Sequence, residues 1–141
     1  MLTKEQIYQK VSTALVEALN VEEEDVKPAA TLQGDLGAES IDFLDITFRL
    51  EREFGIKIPR GELFPEAIFQ GDPEFVENGT VTSRGLQELR QRIPFADLRS
   101  FEKDPQLQHL ADLFTVELIN RYIEGKLREA GEAAEMAAGH S

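Results

Sequence analysis

The apolar residues of this chain fall into three stretches with helical spacing, and each stretch predicts an amphipathic helix. The first helix is expected to begin at Thr3, because Thr3 and Gln6 have the spacing of a capping box. A second helix is predicted from about Ser40 to Phe54, where the following Gly55 is a residue type that commonly ends helices. A third helix should occupy roughly residues 113–127.

The segments outside these helices are predicted to be less regular. Residues 20–39 have the pattern of a long loop, which three spaced apolar residues can fasten to a core: Val26, Leu32 and Leu36. Residues 129–141 are rich in Ala and Glu and could either extend the last helix or form a flexible tail. We expect the tail, because Gly131 interrupts the pattern and little apolar surface follows.

Residues 61–112 are dense in Phe, Pro and Gly and predict a segment of short elements. Asn78-Gly79 is a two-residue hairpin signal between short apolar runs. Thr82 is expected to cap a short helix that Pro94 stops. Asp104 is expected to cap a further short helix, of which Pro105 would be the first residue. The pattern therefore divides the chain into residues 1–60, a segment of short elements at 61–112, residues 113–128 and a tail at 129–141.

Composition excludes several kinds of chemistry. The 141 residues contain no cysteine and two histidines, so disulfides, thiolate metal sites and cysteine nucleophiles are excluded and histidine-based sites are disfavoured. A net charge of −12 disfavours nucleic acids and anionic membranes as partners and favours proteins with basic docking patches. No apolar stretch has membrane-spanning length, so we expect a cytoplasmic chain without stable membrane insertion.

The second helix has two apolar faces. One, which we call the core stripe, consists of Phe43, Ile46, Leu50 and Phe54. The other, which we call the outer strip, consists of Ile41, Leu44 and Phe48. Since a helix in a small bundle turns one side to the core, the outer strip must be covered by residues 61–112 or exposed for a partner. We favour exposure, because acidic residues lie beside the strip.

Ser40 lies where the loop is predicted to become the second helix, and two interpretations are open. The serine could be an ordinary helix N-cap. Alternatively, its hydroxyl could carry a phosphodiester, which the N–H groups and dipole of a helix N-terminus would stabilise. Gly37 would allow close backbone access, and Glu39 and Asp42 could attract a basic modifying enzyme.

The sequence around Ser40 resembles the acyl carrier protein family. Residues 35–42 read Asp-Leu-Gly-Ala-Glu-Ser-Ile-Asp, whereas the family's attachment motif is usually Asp-Leu-Gly-Ala-Asp-Ser-Leu-Asp. An acidic helix ending at Phe54 and an Ile58-Pro59 loop follow, as they do in the family. The resemblance covers residues 3–60 and resumes at 115–123.

This resemblance implies an all-α fold, an acyl-carrier-like four-helix bundle formed by residues 1–60 and 113–128. Residues 61–112 would then be an inserted subdomain of short helices and a small hairpin, and residues 129–141 a flexible tail. It implies that a holo-acyl-carrier-protein synthase transfers 4′-phosphopantetheine from coenzyme A to Ser40. The arm would hold acyl groups as thioesters for acyl-transferring and condensing enzymes of a fatty-acid or specialised lipid pathway. The chain itself would be a monomeric carrier and not an enzyme, with no catalytic residues and no bound metal.

The resemblance also assigns the two faces of the second helix. Partner docking would use the outer strip and the acids beside it, namely Glu39, Ile41, Asp42, Leu44, Asp45 and Phe48. The core stripe would line an acyl cavity, namely Phe43, Ile46, Leu50 and Phe54. Phe43 is larger than the usual residue at its position and would narrow this cavity. Family members usually have one short helix where this chain has residues 61–112, which suggests a specialised carrier.

Two other functions stay open, and two are disfavoured. A peptidyl or aminoacyl carrier would share the serine, and a helical adaptor would need only the outer strip. A hydrolase is disfavoured because Ser40 lacks the Gly-x-Ser-x-Gly context and because His109, the one internal base candidate, lies in a polar stretch typical of a surface. A calcium sensor is disfavoured because no EF-hand loop pattern occurs.

Overall fold

The computed structural model describes residues 2–59, 61–93 and 98–139, without the side chains of Ser40, Glu66 and 132–139. The helices are α1 (Lys4–Leu19), α2 (Ser40–Phe54), α3 (Glu66–Phe69), α4 (Ser83–Arg92), α5 (Arg99–Lys103), α6 (Leu107–Leu110) and α7 (Val116–Gly139). Two strands, β1 (Val76–Glu77) and β2 (Thr80–Val81), form the one small sheet of the described residues. The predicted all-α class is confirmed.

The start of α1 follows from its capping box. Thr3 Oγ1 accepts from the Gln6 N–H at 3.1 Å, and Gln6 Oε1 accepts from the Thr3 N–H at 2.9 Å. Asn20 ends the helix in the left-handed conformation, with φ of 56°. Four apolar residues at helical spacing in α1 are buried: Ile7, Val11, Ala14 and Leu15. Local sequence chemistry thus defines both ends of α1 and the face that it buries.

Helix α2 has the predicted bounds and packs against α1. Gly55 ends it with φ of 63°, a conformation that costs glycine little. The Glu51 carboxylate then accepts from the Ile58 N–H at 2.9 Å, which holds the following loop against the helix end. Arg49 joins the two helices, because its side chain lies 3.1 Å from Glu17 and 3.2 Å from Asp45.

The hairpin predicted at Asn78-Gly79 is confirmed. Both turn residues have positive φ, 53° and 78°, and Val76 pairs with Val81 across the two strands. Thr82 caps α4 as predicted, since its Oγ1 accepts from the Gly85 N–H at 3.1 Å. Pro94, which was expected to stop this helix, lies outside the described residues.

The prediction that Asp104-Pro105 begins a helix is wrong. Asp104 follows the last residue of α5, and α6 begins only at Leu107. The intervening backbone bonds to the hairpin instead: the Pro105 carbonyl accepts from Val81 N–H at 2.7 Å, and Leu107 N–H donates to the Gly79 carbonyl at 2.8 Å. These long-range hydrogen bonds keep the segment extended, so tertiary pairing overrides the local capping preference.

Helix α7 is longer than predicted, because it continues to Gly139 where we expected a tail from residue 129. Alanine and glutamate have high helix propensity, and one glycine costs only about 1 kcal/mol, so Gly131 does not end the helix. Of the helices in the described parts of the chain, none is long and apolar enough to cross a membrane.

The insertion shares its hydrophobic core with the predicted bundle. Buried residues of α1, α2 and α7 form one contiguous cluster with buried residues of the insertion. The insertion contributes Leu63, Phe64, Ile68, Val76, Val81, Leu89, Ile93, Leu98, Phe101 and Leu110. Residues 61–112 therefore pack as part of the structure that positions α2.

Candidate functional site

The loop that leads to Ser40 is fastened to the beginning of α7. Leu32 N–H donates to the Phe114 carbonyl at 2.9 Å, and Val116 N–H donates to the Ala30 carbonyl at 3.0 Å. Leu32 is fully buried, and Val26 and Leu36 are almost fully buried. The three loop residues that were predicted to contact a core therefore do so. The path of the chain into α2 is therefore set by the core.

Glu39, and not Ser40, occupies the N-cap position of α2. Glu39 has extended backbone angles, φ −106° and ψ 167°, and Ser40 is the first helical residue. The Asp42 carboxylate accepts from the Glu39 N–H at 2.8 Å, which stabilises this helix start. The interpretation of Ser40 as the N-cap is therefore wrong, and the capping function belongs to its neighbours.

The surroundings of Ser40 fit a covalently attached phosphodiester. Gly37 has φ of 73°, and a Cβ added to it would meet no atom within 4 Å, so the loop ahead of the serine borders open space. Glu39 and Ile41 on either side of Ser40 are exposed. The free N–H groups in the first turn of a 15-residue helix favour negative charge at this position.

The outer strip of α2 is exposed. The exposed fractions are 75% for Ile41, 44% for Leu44 and 54% for Phe48, and these are the exposed large hydrophobic residues of the described chain. The described residues of 61–112 do not cover the strip, so the strip is exposed, as we expected. Asp42 and Asp45, which lie beside the strip, are half-buried, and Glu39 is exposed at the helix start.

The core stripe of α2 faces aromatic rings from the insertion. Phe43, Ile46 and Leu50 are buried and Phe54 is half-buried. The Phe43 ring stacks on Phe64 with centroids 4.5 Å apart and planes 11° apart. Two further rings complete the cluster: Phe69 lies 5.5 Å from Phe43 and 5.2 Å from Phe114, and Phe114 lies 5.7 Å from Phe64.

Sequence reasoning did not identify Phe64, Phe69 and Phe114 as neighbours of Phe43. The density of phenylalanine in residues 61–112 was the available signal for Phe64 and Phe69, but it carries no information about which rings meet. Only the fold brings these four phenylalanines together beneath the helix that Ser40 begins.

A polar cluster at Tyr122 was also not predicted from the sequence. The Tyr122 hydroxyl donates to the Glu62 carboxylate at 2.7 Å, and Lys126 Nζ lies 3.0 Å from the same carboxylate. Burial and the hydrogen bond to Glu62 raise the pKa of Tyr122 well above its usual value. The cluster ties the segment after α2 to α7.

The remaining chemistry-bearing groups do not converge on Ser40. His109 is exposed, and its Nδ1 lies 3.6 Å from the Asp104 carboxylate within the insertion, which confirms its assignment as a surface residue. Among the side chains that the structure describes, no group of three or more His, Asp or Glu residues could hold a metal ion.

Comparison with known proteins matches the region built around α2. The family described as "Phosphopantetheine attachment site" matches residues 9–66. The chain is 44% identical over 52 residues to the acyl carrier protein AcpXL of Rhizobium meliloti (strain 1021), a match that covers 37% of this chain and 55% of that protein. It is 40% identical over 63 residues to an acyl carrier protein of Thermotoga maritima, covering 45% of this chain and 78% of that protein.

Proposed function

This chain belongs to the acyl carrier protein family, and we propose that it bears 4′-phosphopantetheine on Ser40 and presents acyl groups to successive enzymes. Proteins of this family hold the group covalently, and when attached it supplies a thiol on which acyl groups are held as thioesters. The observation that supports Ser40 is its position as the first residue of α2, within the matched range 9–66.

The residues around Ser40 have separate tasks in this proposal. Glu39 and Asp42 hold the helix start through the 2.8 Å hydrogen bond between them, so the backbone at Ser40 is fixed. Gly37 leaves space on the side from which a modifying enzyme would approach. The first-turn N–H groups offset part of the charge of a phosphodiester on the serine.

The chain is proposed to be a substrate and carrier and not an enzyme. It contains no cysteine, so a reactive sulfur must come from an attached group. A hydrolase that used Ser40 would need a base close to it, and His109, the internal histidine, contacts Asp104 in the insertion instead.

Partner enzymes are proposed to dock on the outer strip. Ile41, Leu44 and Phe48 present apolar surface, and the nearby acids Glu39, Asp42 and Asp45 complement basic patches. The partners would include a holo-acyl-carrier-protein synthase and the acyl-transferring and condensing enzymes of a fatty-acid or specialised lipid pathway. We propose that the chain acts in the cytoplasm as a monomer, a state that light scattering would test.

Intact mass spectrometry tests the attachment. The purified chain is incubated with coenzyme A, magnesium and a promiscuous phosphopantetheinyl transferase, and the mass is expected to increase by one phosphopantetheine group. Ser40→Ala should abolish the increase while the circular dichroism spectrum stays helical.

Ser83 provides a matched control for this experiment, because it is an exposed serine that is also the first residue of a helix, α4. Ser83→Ala should accept the group as the wild type does. An unchanged mass for the wild-type chain, or modification that persists in Ser40→Ala, would contradict the proposal.

The cargo found on the protein purified from its own cells separates this function from its alternative. A fatty or related acyl group on the arm is expected for an acyl carrier. An amino acid on the arm would indicate a peptidyl or aminoacyl carrier instead.

A further inference from the structure

The insertion forms a cleft with the last helix. Helix α4, the segment that follows α2 and the middle of α7 border a cavity of about 570 Å³, which we call the α4–α7 cleft. This size is within the range of small-molecule sites, but such sites are mostly apolar, whereas charged and polar groups line this one. Of the described lining residues, Glu62 alone lies within residues 9–66, the range that matches the family. The chemistry of the cleft is therefore supplied mainly by the insertion and α7.

Basic side chains gather in the α4–α7 cleft although the chain is acidic overall. Four of its 15 lysines and arginines line the cleft: Arg92 from α4 and Arg121, Lys126 and Arg128 from α7. They face three carboxylates, so the described lining has a small positive charge in a chain of net charge −12. Because charges beyond about 8 Å are largely screened at physiological ionic strength, a ligand in the cleft responds mainly to these nearby groups.

Three of the four cations are open to a ligand. Arg92 and Arg121 are exposed, and each pairs with a glutamate one turn away on its own helix, Glu88 at 2.7 Å and Glu117 at 3.4 Å. Exposed pairs of this kind contribute little to stability, so a bound anion can compete for both guanidinium groups. Arg128 is exposed and forms no ion pair with another side chain that the structure describes.

The acidic and neutral groups of the lining have a different role. Glu62 is already paired, because Lys126 Nζ lies 3.0 Å from its carboxylate and the Tyr122 hydroxyl donates to it at 2.7 Å. Glu124 and Glu129 have no ion pair within the described part of the chain, so their oxygens can accept hydrogen bonds from a ligand. The lining thus offers both strong donors and strong acceptors.

Gly125 leaves space in the α4–α7 cleft. It lies inside α7, where glycine weakens a helix relative to alanine. A Cβ added to Gly125 would meet no atom within 4 Å, so close packing does not require a glycine here. Positions at which a sequence departs from local preference without a packing reason are often functional. A ligand that approaches the backbone of α7 would account for this glycine.

We propose that the α4–α7 cleft binds a small phosphorylated polyol, such as a sugar phosphate. Guanidinium groups recognise phosphate through paired hydrogen bonds, which Arg92, Arg121 and Arg128 can supply. Hydroxyl groups donate and accept, and so they match the carboxylates of the lining and the Gln91 amide. An inorganic anion would meet those carboxylates without such donors, and an apolar ligand would leave charged groups unpaired. This binding site goes beyond the proposed carrier function and does not depend on Ser40.

Isothermal titration calorimetry of the full, unmodified chain with glucose 6-phosphate tests the proposal. We expect saturable binding with a Kd in the millimolar range or tighter. Glucose and inorganic phosphate, each of which offers only half of the chemistry, should bind more weakly. In amide NMR spectra, the largest shifts on addition of glucose 6-phosphate should occur at Gly125 and its neighbours in α7.

A phosphorylated polyol can be a free metabolite or the headgroup of a lipid, and a competition experiment separates these sources. Phosphatidylcholine vesicles that contain phosphatidylinositol 4-phosphate are added to the complex with glucose 6-phosphate. Displacement by these vesicles, and not by phosphatidylcholine alone, would assign the site to a lipid headgroup. Retention of glucose 6-phosphate would assign it to a free metabolite, which we expect because the charge of −12 repels anionic membranes.

Arg92→Gln and Arg84→Gln are a matched pair of variants. Each removes one positive charge from an exposed arginine of α4 and breaks one ion pair, with Glu88 for Arg92 and with Glu74 for Arg84. Of the two, Arg92 lines the cleft. Arg92→Gln should raise the Kd about tenfold or more, because it removes a hydrogen bond to a charged group, whereas Arg84→Gln should change the Kd by less than about twofold.

Gly125→Gln distinguishes loss of the site from loss of the fold. Glutamine is a better helix former than glycine, so the melting temperature should stay the same or rise. Its side chain would take up space in the cleft, so binding of glucose 6-phosphate should weaken.

Four results would overturn the proposal. They are the absence of saturable binding, inorganic phosphate that binds as tightly as glucose 6-phosphate, equal Kd values for Arg92→Gln and Arg84→Gln, and a Gly125→Gln chain that binds as the wild type does. The carrier function would be unaffected by any of them, because the mass increase at Ser40 tests it separately.

Discussion

Tyr122 and Glu62 show how one residue pair can join distant parts of the chain. They lie 60 residues apart in sequence, yet the Tyr122 hydroxyl donates to the Glu62 carboxylate at 2.7 Å. Lys126 pairs with the same carboxylate at 3.0 Å, so Glu62 holds two contacts on α7. Glu62 follows the loop after α2, and the pair therefore helps to hold the first part of the insertion against α7.

Tyr122→Phe is expected to lower the free energy of unfolding by about 1.5–3 kcal/mol, because it removes a hydrogen bond to a charged acceptor. Urea unfolding followed by circular dichroism measures the loss. Tyr8→Phe is the control, because the Tyr8 hydroxyl donates to the neutral Val26 carbonyl, and its loss should be about 0.5–1.5 kcal/mol. Equal losses for the two variants would contradict this account.

The same tyrosine predicts a pH dependence. Burial and the bond to Glu62 raise the pKa of Tyr122 in the folded chain. Above about pH 10 the unfolded chain releases the tyrosine proton while the folded chain keeps it, so the free energy of unfolding falls as pH rises. Phe has no proton to release. Urea titrations from about pH 9 to 11 should therefore show a shallower fall for Tyr122→Phe than for the wild type.

Two helices offer opposite results for one substitution, glycine to alanine. A Cβ on Gly85 in α4 would lie 2.5 Å from the Phe75 carbonyl oxygen and 2.6 Å from Val81 Cγ1. This overpacking costs about 1–3 kcal/mol, more than the roughly 1 kcal/mol that alanine gains as a helix former. A Cβ on Gly125 in α7 meets no atom within 4 Å. Thermal melts should show Gly85→Ala destabilised and Gly125→Ala stabilised by about 1 kcal/mol.

The two faces of α2 should also respond differently to truncation. Ile46→Ala removes a fully buried side chain and should cost about 2–5 kcal/mol of stability. Phe48→Ala removes an exposed one and should change stability by about 0.5 kcal/mol or less.

If the outer strip docks enzymes, Phe48→Ala should instead weaken transferase binding by about 1–2 kcal/mol, measured as kcat/KM for loading. Unchanged loading by Phe48→Ala would argue against docking at this residue.

At the scale of the whole molecule, the insertion and the bundle are expected to unfold together. Their buried residues form one cluster, and Phe43 of α2 stacks on Phe64 of the insertion. Removing residues 61–112 would expose Phe43 and Phe114, so the shortened chain should lose cooperative unfolding. For the full chain, far-UV and near-UV circular dichroism should give coincident urea transitions. Two separate transitions would mean that the insertion folds as an independent unit.

Local interactions explain why much of the fold could be predicted from sequence. The capping box at Thr3, the bounds of α2 at Ser40 and Gly55, and the turn at Asn78-Gly79 all depend on residues within a few positions of one another. The attachment motif is equally local, which is why the family and Ser40 could be inferred before any fold was known. The structure differs from the sequence predictions at two places. After Asp104, long-range hydrogen bonds keep the backbone extended, and beyond residue 128 the helix propensity of a long Ala/Glu segment continues α7.

The sequence alone was enough to show that α2 has two apolar faces and that a serine begins it, because helical period and motif are properties of neighbouring residues. The acids beside the outer strip favoured its exposure, but helical period alone does not distinguish the two faces, since Phe43 and Phe48 are equally apolar in sequence. The fold decides this by packing Phe64 and Phe69 against Phe43 on one face, with Phe114 behind them, and leaving the other face exposed. Those contacts join residues far apart in the chain, and only the packing of the core as a whole determines which of them form.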